Sequence, residues 1–270
     1  MRKYCTWPIV TVTEEGFRET KENRKVKYQE GADQTMKRRH QLGRSIRRLL
    51  ILILLIAVSV GAFYGFRGYR MYRDAIEQMS VEERVEQIRA REHFTRYSEL
   101  TDFYIDAVIS VEDHRFKEHM GLDLIAICRA VWIDLKTMSF REGGSTITQQ
   151  LAKNMLFTQE KTIERKAAEV FAVLDIEAEY SKEEIFELYV NTASFGEGYY
   201  GIYDASMGYF EKEPSELTDY EAAVMAGVPN APSVYAPGAD RELAAQRTAQ
   251  VLRSMVRNNV ITQAQMDGML

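Results

Sequence analysis

The strongest pattern along the chain is an uninterrupted apolar stretch from Leu49 to Phe66, LLILILLIAVSVGAFYGF, which contains no charged residue. A helix of this length is about 27 Å long, close to the ~30 Å hydrocarbon thickness of a bilayer. A cleaved signal peptide is the alternative, but its apolar stretch is usually about 7–15 residues long and near the start of the chain. The pattern therefore predicts one transmembrane helix over residues 49–66.

Beyond residue 100, apolar residues recur at the three- and four-residue spacing of helices. The spacing is clear in IDAVISVED, LIAICRAVWIDL, TITQQLAKNML, TIERKAAEVFAVLDIEAEY and SKEEIFELYVN, and no long alternating strand pattern occurs. Ser181 and Glu184 form a capping box that begins the last of these runs. We predict an almost entirely helical domain over residues 97–270, joined to the apolar stretch by a charge-rich stalk over 67–96.

Charge divides the chain into a basic N-terminal segment and an acidic remainder. Residues 1–48 hold 13 Lys and Arg against 6 Asp and Glu, whereas the rest holds 22 against 34. A nucleic-acid-binding protein usually has a basic folded domain, so nucleic acid is not expected as a partner. Basic residues are more frequent before the apolar stretch than after it, which predicts a cytoplasmic tail over 1–48 and an extracytoplasmic domain. Residues 1–36 show no sustained period and are predicted to be flexible.

The two cysteines, Cys5 and Cys128, fall on opposite sides of the predicted membrane helix and cannot pair within one chain. Cys128 lies in an apolar run, where a small buried core residue is the expected role. Neither cysteine has metal-ligand spacing, and the histidines form no zinc pattern. We therefore expect neither a disulfide framework nor a zinc site.

Glu112 and Asp113 are the first candidate chemical groups, because they end the apolar run YIDAVISV. A carboxylate at the junction of an apolar helix and a loop is partly desolvated, which raises its pKa and suits it to proton exchange near neutral pH. A solvated helix end is the alternative interpretation of such an acidic pair.

The segment from Gly143 to Asn154 has two glycines and hydroxyl residues ahead of a helical run. The free N–H groups of such a helix N-terminus can hold an anion, and four polar side chains lie on or beside one face: Thr146, Gln149, Gln150 and Lys153. The arrangement suits a phosphate but lacks the Lys-Ser/Thr end of a P-loop. An ordinary Ser/Thr N-cap is the alternative.

The run from Thr162 to Tyr180 predicts a helix with two distinct stripes. One is apolar and holds Ala167, Phe171, Leu174 and Ala178. The other places Arg165 and Glu169 in line with Ala172, Val173 and Ile176. Because this stripe is also apolar beyond the charged pair, Glu169 is expected to face a cleft or packed surface. A surface ion pair between the two charged residues is the alternative.

Five ordered segments closely resemble the motifs of the peptidoglycan glycosyltransferases, the membrane-bound transglycosylases of bacterial cell-wall synthesis. They are EDHRFKEHMG (112–121), GGSTITQQLAKN (143–154), RKAAE (165–169), YVNTASFGEGYYGI (189–202) and EAAVMAGVPNAPSVYAP (221–237). The resemblance runs from about residue 97 to 268. It implies an all-α, lysozyme-like domain of two lobes flanking a cleft, the smaller lobe lying against the membrane.

The resemblance also implies a substrate and a role for each matched residue. The substrate is lipid II, which is joined into β-1,4-linked glycan with inversion and release of polyprenyl diphosphate. Glu112 is then the general base and Glu169 the second essential carboxylate, which orients cations or holds a divalent ion, Mg or Mn; no cofactor is obligatory. Diphosphate-binding residues are Lys153, Lys161, Arg165 and Lys166, with Lys161 where many members carry Arg. Residues expected to shape the substrate cleft are Asp113, Phe116, His119, Ser145, Thr146 and Gln150.

Three places depart from the family pattern or leave its interpretation open. Ala193-Ser194 replaces an apolar-aromatic pair, and Glu211 stands where Gly is common, which puts packing and turn geometry in doubt rather than catalysis. The segment 130–143 corresponds to a mobile loop. Its residues Trp132, Met138 and Phe140 lie beside Lys136 and Arg141, so it is expected either to enter the headgroup layer or to be a buried helix end.

Other functions fit these residues less well. A lytic, lysozyme-like enzyme would have no use for Lys153, Arg165, Lys166 and Glu169, and a non-catalytic membrane scaffold would not need both Glu112 and Glu169. The chain has no S-x-x-K, S-D-N or K-T-G motif, so it is expected to be monofunctional, although a truncated bifunctional penicillin-binding protein would look the same. Expected partners are the membrane, a transpeptidase, and the division or elongation machinery.

Overall fold

The computed structural model describes residues 14–137, 144–158 and 160–270, and contacts divide the chain into two compact units, 1–62 and 63–270. Helix α1, Glu14–Gln78, contains the whole apolar stretch. Its part from Arg44 to Gln78 is long and apolar enough to cross a membrane. The predicted transmembrane segment therefore lies within a helix that extends well beyond it on both sides.

Residues 14–36 of the segment that was predicted to be flexible are helical and belong to α1. Glu, Lys, Arg and Gln are good helix formers, and a helix that has been nucleated extends at little cost per residue. Residues 1–13 lie outside the described residues. The absence of an apolar period therefore did not exclude a helix.

The unit 63–270 is built from helices, and its described residues contain no strand, only an isolated bridge between Ser194 and Tyr200. The predicted all-α class is confirmed. After α1, the helices are α2 Val81–Arg89, α3 Asp102–Glu112, α4 Leu124–Thr137, α5 Ile147–Leu156, α6 Ile163–Glu179, α7 Lys182–Thr192, α8 Ile202–Phe210, α9 Asp219–Gly227, α10 Pro232–Tyr235, α11 Arg241–Arg257 and α12 Gln263–Met269.

The helices of this unit pack in two groups. Helices α5, α6 and α7 contact one another, and so do α3, α9 and α11. Helix α7 begins at the predicted capping box, in which Ser181 and Glu184 each bind the other's backbone N–H. The buried apolar residues of both groups belong to one continuous core.

The predicted stalk over 67–96 is wrong as a separate segment, because it is part of the compact unit. Tyr72 of α1 and Val81, Val85 and Ile88 of α2 are buried in the core. The last three lie on one face of α2, whose acidic residues are exposed, and Ser80 caps its start. The high charge content of this segment suggested a stalk, although three apolar residues on one face of α2 pack on the domain.

Burial also reverses two expectations about apolar faces. In α6, the covered stripe contains Ala168, Ala172, Val173 and Ile176, whereas Leu174 of the predicted apolar face is 53% exposed. Cys128 in α4 is exposed rather than in the core. In both helices the apolar spacing identified a face without identifying which neighbour covers it.

Helix α4 occupies the first half of the predicted loop 130–143, and its large apolar side chains Leu124, Ile125 and Trp132 are exposed. The interpretation of this segment as a buried helix end is therefore wrong for Trp132. Met138, Phe140 and Arg141 lie outside the described residues. Glu211, the departure from Gly, ends α8 in the left-handed conformation, with φ 55° and ψ 35°, so the doubt about turn geometry is confirmed.

Candidate active site

Glu112 is the last residue of α3, and its side chain is only 7% exposed. Its two carboxylate oxygens accept hydrogen bonds from Gln150 Nε2 at 2.9 Å and from an Arg247 guanidinium nitrogen at 3.1 Å. Burial raises the pKa of Glu112, and the bonds from Gln150 and Arg247 offset part of that rise. The expectation of a desolvated carboxylate at this helix end is confirmed.

Glu112 faces a cavity of about 1180 Å³ between the two helix groups. Predicted site residues that line it are Ser145, Gln150, Lys153 and Lys161. Further basic side chains come from α4, α11 and the loop after α3: His114, Arg129, Arg247 and Arg257. The cleft therefore concentrates positive charge around one buried carboxylate, in a domain whose net charge is negative.

Glu169 is almost fully buried and is held by its own helix. One carboxylate oxygen accepts from Arg165 Nη1 at 2.5 Å and the other from Lys166 Nζ at 2.7 Å. Lys166 also donates to Ser145 Oγ at 2.7 Å, which ties α6 to the start of α5. The expected burial of Glu169 is confirmed.

Lys153 on α5 links the two carboxylates electrostatically. Burial and the neighbouring Arg165 lower the pKa of Lys153, whereas Glu169 and Glu112 raise it. Glu169 was expected to face a cleft or a packed surface, and only 1% of its side chain is exposed beneath Arg165 and Lys166, so it faces a packed surface. Lys153 is therefore close enough to both carboxylates for the charge of each to raise its pKa.

Asp113 and His119 hold the helices that carry the site rather than line the cavity. Asp113 is buried, which raises its pKa, and it accepts hydrogen bonds from His119 Nε2 at 2.9 Å and from the backbone N–H of Ile147 at 3.1 Å. Ile147 begins α5, which carries Gln150. Asp113 and His119 were expected to shape the cleft, and the structure places them at the start of α5, away from the residues that line the cavity.

Thr146 and Phe116 were also expected to shape the cleft, and both are buried in the domain instead. Thr146 is the N-cap of α5: its Oγ1 accepts from the N–H of Gln149 and donates to the carbonyl of Gly121 at 2.6 Å. Phe116 packs against Phe186 in the core, with the ring centroids 6.4 Å apart. The alternative interpretation of Thr146 as an ordinary N-cap is therefore the correct one.

Arg247 is a site residue that the sequence reasoning missed. It donates a hydrogen bond to Glu112, which lies 135 positions away in the sequence. Its guanidinium carbon lies 5.6 Å from the ring centroid of Tyr235, and its Nε donates to the carbonyl of Gly227 at 3.2 Å. One signal was available, because Arg247 lies within a turn of the buried residues Ala244 and Val251. A cation beside the buried face of an amphipathic helix points to a buried partner.

The sequence from Met79 to Val256 matches a family model described as Transglycosylase. The chain belongs to the transglycosylase family. The match begins at residue 79, so α2 is part of the domain, whereas the motif resemblance suggested a start near residue 97. The predicted peptidoglycan glycosyltransferase domain is confirmed.

Known relatives of this transglycosylase are penicillin-binding proteins. Penicillin-binding protein 1F of Bacillus subtilis is 50% identical over 49% of the chain and 18% of its own length. Penicillin-binding protein 2D of the same organism is 40% identical over 62% of the chain and 24% of its own length. Penicillin-binding protein 1A of Neisseria lactamica is 40% identical over 67% of the chain and 23% of its own length. The chain thus spans less than a quarter of the length of these relatives.

The site of this transglycosylase does not fit the divalent ion expected at Glu169. Mg²⁺ and Mn²⁺ favour octahedral sites of about six oxygen ligands, in which a carboxylate needs an oxygen free to bind the ion. Both oxygens of Glu169 are engaged by Arg165 and Lys166, at 2.5 and 2.7 Å. The cations of α6 themselves supply the positive charge that a metal ion would bring.

Proposed function

We propose that this transglycosylase polymerises lipid II into β-1,4-linked glycan, with release of polyprenyl diphosphate. The observation that carries the proposal is the pairing of one buried carboxylate, Glu112, with a group of cations around the same cleft, among them Lys153 and Lys161. A transfer that inverts the anomeric carbon needs one base and a stabilised leaving group, and these residues are chemically suited to both tasks.

In the proposed reaction, Glu112 accepts the proton of the acceptor GlcNAc 4-hydroxyl as that oxygen attacks the anomeric carbon of the lipid-linked chain. A carbon–oxygen bond forms on one side of the anomeric carbon, while the bond to the diphosphate breaks on the other. The diphosphate leaves with the bonding electron pair and the polyprenyl chain. Burial favours this role for Glu112, because its raised pKa makes it a stronger base than an exposed carboxylate.

The cations neutralise the charge that develops on the departing diphosphate. Lys153 and Lys161 line the cleft, and Lys166 reaches Ser145 at its edge. Glu169 orients Arg165 and Lys166, because each of its oxygens holds one of them. Preorganised charges of this kind are most effective where water is excluded, and the lowered pKa of Lys153 reflects such an environment.

We further propose that the chain is anchored in the cytoplasmic membrane by residues 49–66, with residues 1–48 in the cytoplasm and the transglycosylase domain outside. The helix containing 49–66 is long and apolar enough to span a bilayer. The reaction needs no obligatory cofactor. Its glycan product is a substrate for a transpeptidase, and we expect the division or elongation machinery to be the cellular partner.

The proposal is tested by incubating the detergent-solubilised protein with fluorescent lipid II and resolving the products by size. The wild type should form long glycan that lysozyme degrades, and Glu112→Gln should lower the rate by about 10²–10⁴-fold, since it removes the base. Glu118→Gln, which alters an exposed carboxylate on the following turn, is the matched control and should polymerise normally. Full activity of Glu112→Gln, or cleavage of preformed glycan by the wild type, would contradict the proposal.

A further inference from the structure

Gly68 brings two helix backbones into direct contact within the compact unit. It lies on the last turns of α1 and is buried against α6. A Cβ atom at Gly68 would lie 2.5 Å from Ala167 Cβ and 2.8 Å from the backbone of Ala167 and Ala168. Carbon atoms in contact are normally about 3.5–4.0 Å apart, so any side chain here would push α1 and α6 apart by about 1 Å.

Contacts on either side of Gly68 extend this interface along α6. Tyr69 packs edge-on against Phe171 at 5.3 Å, and Tyr72 stacks on the same ring at 6.4 Å. The Tyr72 hydroxyl donates to Asp175, and Arg67 pairs with Glu164 at 3.5 Å. The end of α1 therefore contacts one face of α6 over about three turns, with Gly68 at the closest approach.

The next face of α6 carries the charged residues of the site. Arg165 and Glu169 are 2.5 Å apart there, and Lys166 reaches Ser145 Oγ at 2.7 Å. Helices in a close-packed interior move as rigid bodies, so a shift imposed on Ala167 and Ala168 is passed on to the neighbouring charged residues. Glu112 makes no hydrogen bond to α6, because it lies on α3 and is held by Gln150 and Arg247.

We infer that Gly68 is a positioning residue for the diphosphate-binding cations. Its lack of a side chain sets the spacing between α1 and α6. This spacing positions Lys166, which reaches Ser145 at the edge of the cleft, and Arg165, which Glu169 holds beside it. The inference rests on the proposed function, since it assigns those cations to the leaving diphosphate. It also connects the last turns of α1 to substrate binding, through α6.

Gly65 provides a matched control one turn earlier on the same helix. A Cβ at Gly65 meets nothing within 4 Å. Gly→Ala raises helix propensity equally at both positions, so a difference between Gly68→Ala and Gly65→Ala reports the contact with α6 rather than the stability of α1. Tyr72→Phe is a milder variant, which removes the hydrogen bond to Asp175 without adding an atom.

The experiment measures inhibition of lipid II polymerisation by added undecaprenyl diphosphate, in the full chain in detergent. Gly68→Ala should raise the inhibition constant about tenfold or more, since a misplacement of about 1 Å commonly has effects of that size. The acid limb of the pH–rate profile should not move, because Glu112 is unaffected. Gly65→Ala should match the wild type in both measurements.

Each result bears on a separate claim. If wild type and Gly65→Ala polymerise but Gly68→Ala shows an unchanged inhibition constant and only a lower maximal rate, the contact is merely structural and the inference is wrong. If Gly68→Ala does not fold, Tyr72→Phe decides, with about a threefold rise expected in its inhibition constant; no rise would overturn the inference. If the wild type makes no polymer, the proposed function fails instead.

Discussion

Arg247→Gln tests whether Arg247 controls the protonation of the proposed base. The substitution removes a charge from Glu112 and leaves a side chain that can still donate one hydrogen bond. Arg247 lowers the pKa of Glu112, so its removal should raise that pKa further. Because a general base acts when deprotonated, the acid limb of the pH–rate profile should move to higher pH.

The geometry sets the size of the effect. The guanidinium nitrogen and the carboxylate oxygen are 3.1 Å apart, and the two side chains are 12% and 7% exposed. At an effective dielectric constant of about 20, the attraction at this distance is about 5 kcal/mol, and a pKa difference of one corresponds to about 1.4 kcal/mol. The new amide hydrogen bond and relaxation of the cleft reduce the change, so we expect the acid limb to move upward by about 1–3 on the pH scale.

The assay is kcat/KM for lipid II polymerisation as a function of pH. At a fixed pH below the limb, the variant should be about tenfold slower for each whole pH step by which the limb has moved, and the loss should be recovered as the pH rises. Arg253→Gln is the matched control, because Arg253 lies on the exposed face of the same helix. A pH-independent loss, or a limb that moves to lower pH, would refute the role assigned to Arg247.

Two further predictions concern stability. Glu211→Gly should raise the free energy of unfolding by about 1 kcal/mol, because Glu211 has φ 55° and glycine adopts this conformation without strain. Thermal melting measures the gain. The control Glu213→Gly should give no gain, because Glu213 has φ −69°. Glu169→Gln should lower the free energy of unfolding by about 3 kcal/mol, because it leaves the charge of the mostly buried Arg165 unpaired. Denaturant unfolding measures the loss, with Glu160→Gln, which alters an exposed carboxylate, as the control. Equal stability of the two variants would count against the prediction.

Features that depend on residues close together in the sequence were predicted well. The helical class, the capping box at Ser181 and the apolar helix over residues 49–66 each follow from periods of three to four residues or from an unbroken apolar run. The desolvation of Glu112 also followed from its place at the end of an apolar helix. These properties are local, because a helix and its caps are formed by neighbours within about four residues.

The charged residues of α6 were partly local as well. Arg165 and Glu169 are one turn apart, so their pairing could be predicted, and the apolar residues in the same stripe indicated that Glu169 is buried. The sequence therefore determined the fold class, the long apolar helix, and the pairing and burial of these charged residues.

Only the tertiary structure decided which faces are covered and which distant residues meet. Arg247 donates a hydrogen bond to Glu112, and Gly68 packs against Ala167. Phe116, which was expected in the cleft, is in the core, and Cys128, which was expected in the core, is exposed. Periodicity shows which residues share a face of a helix, but the neighbour that buries that face comes from elsewhere in the chain. Contacts between such distant segments depend on the packing of the whole domain, and a local pattern carries no record of them.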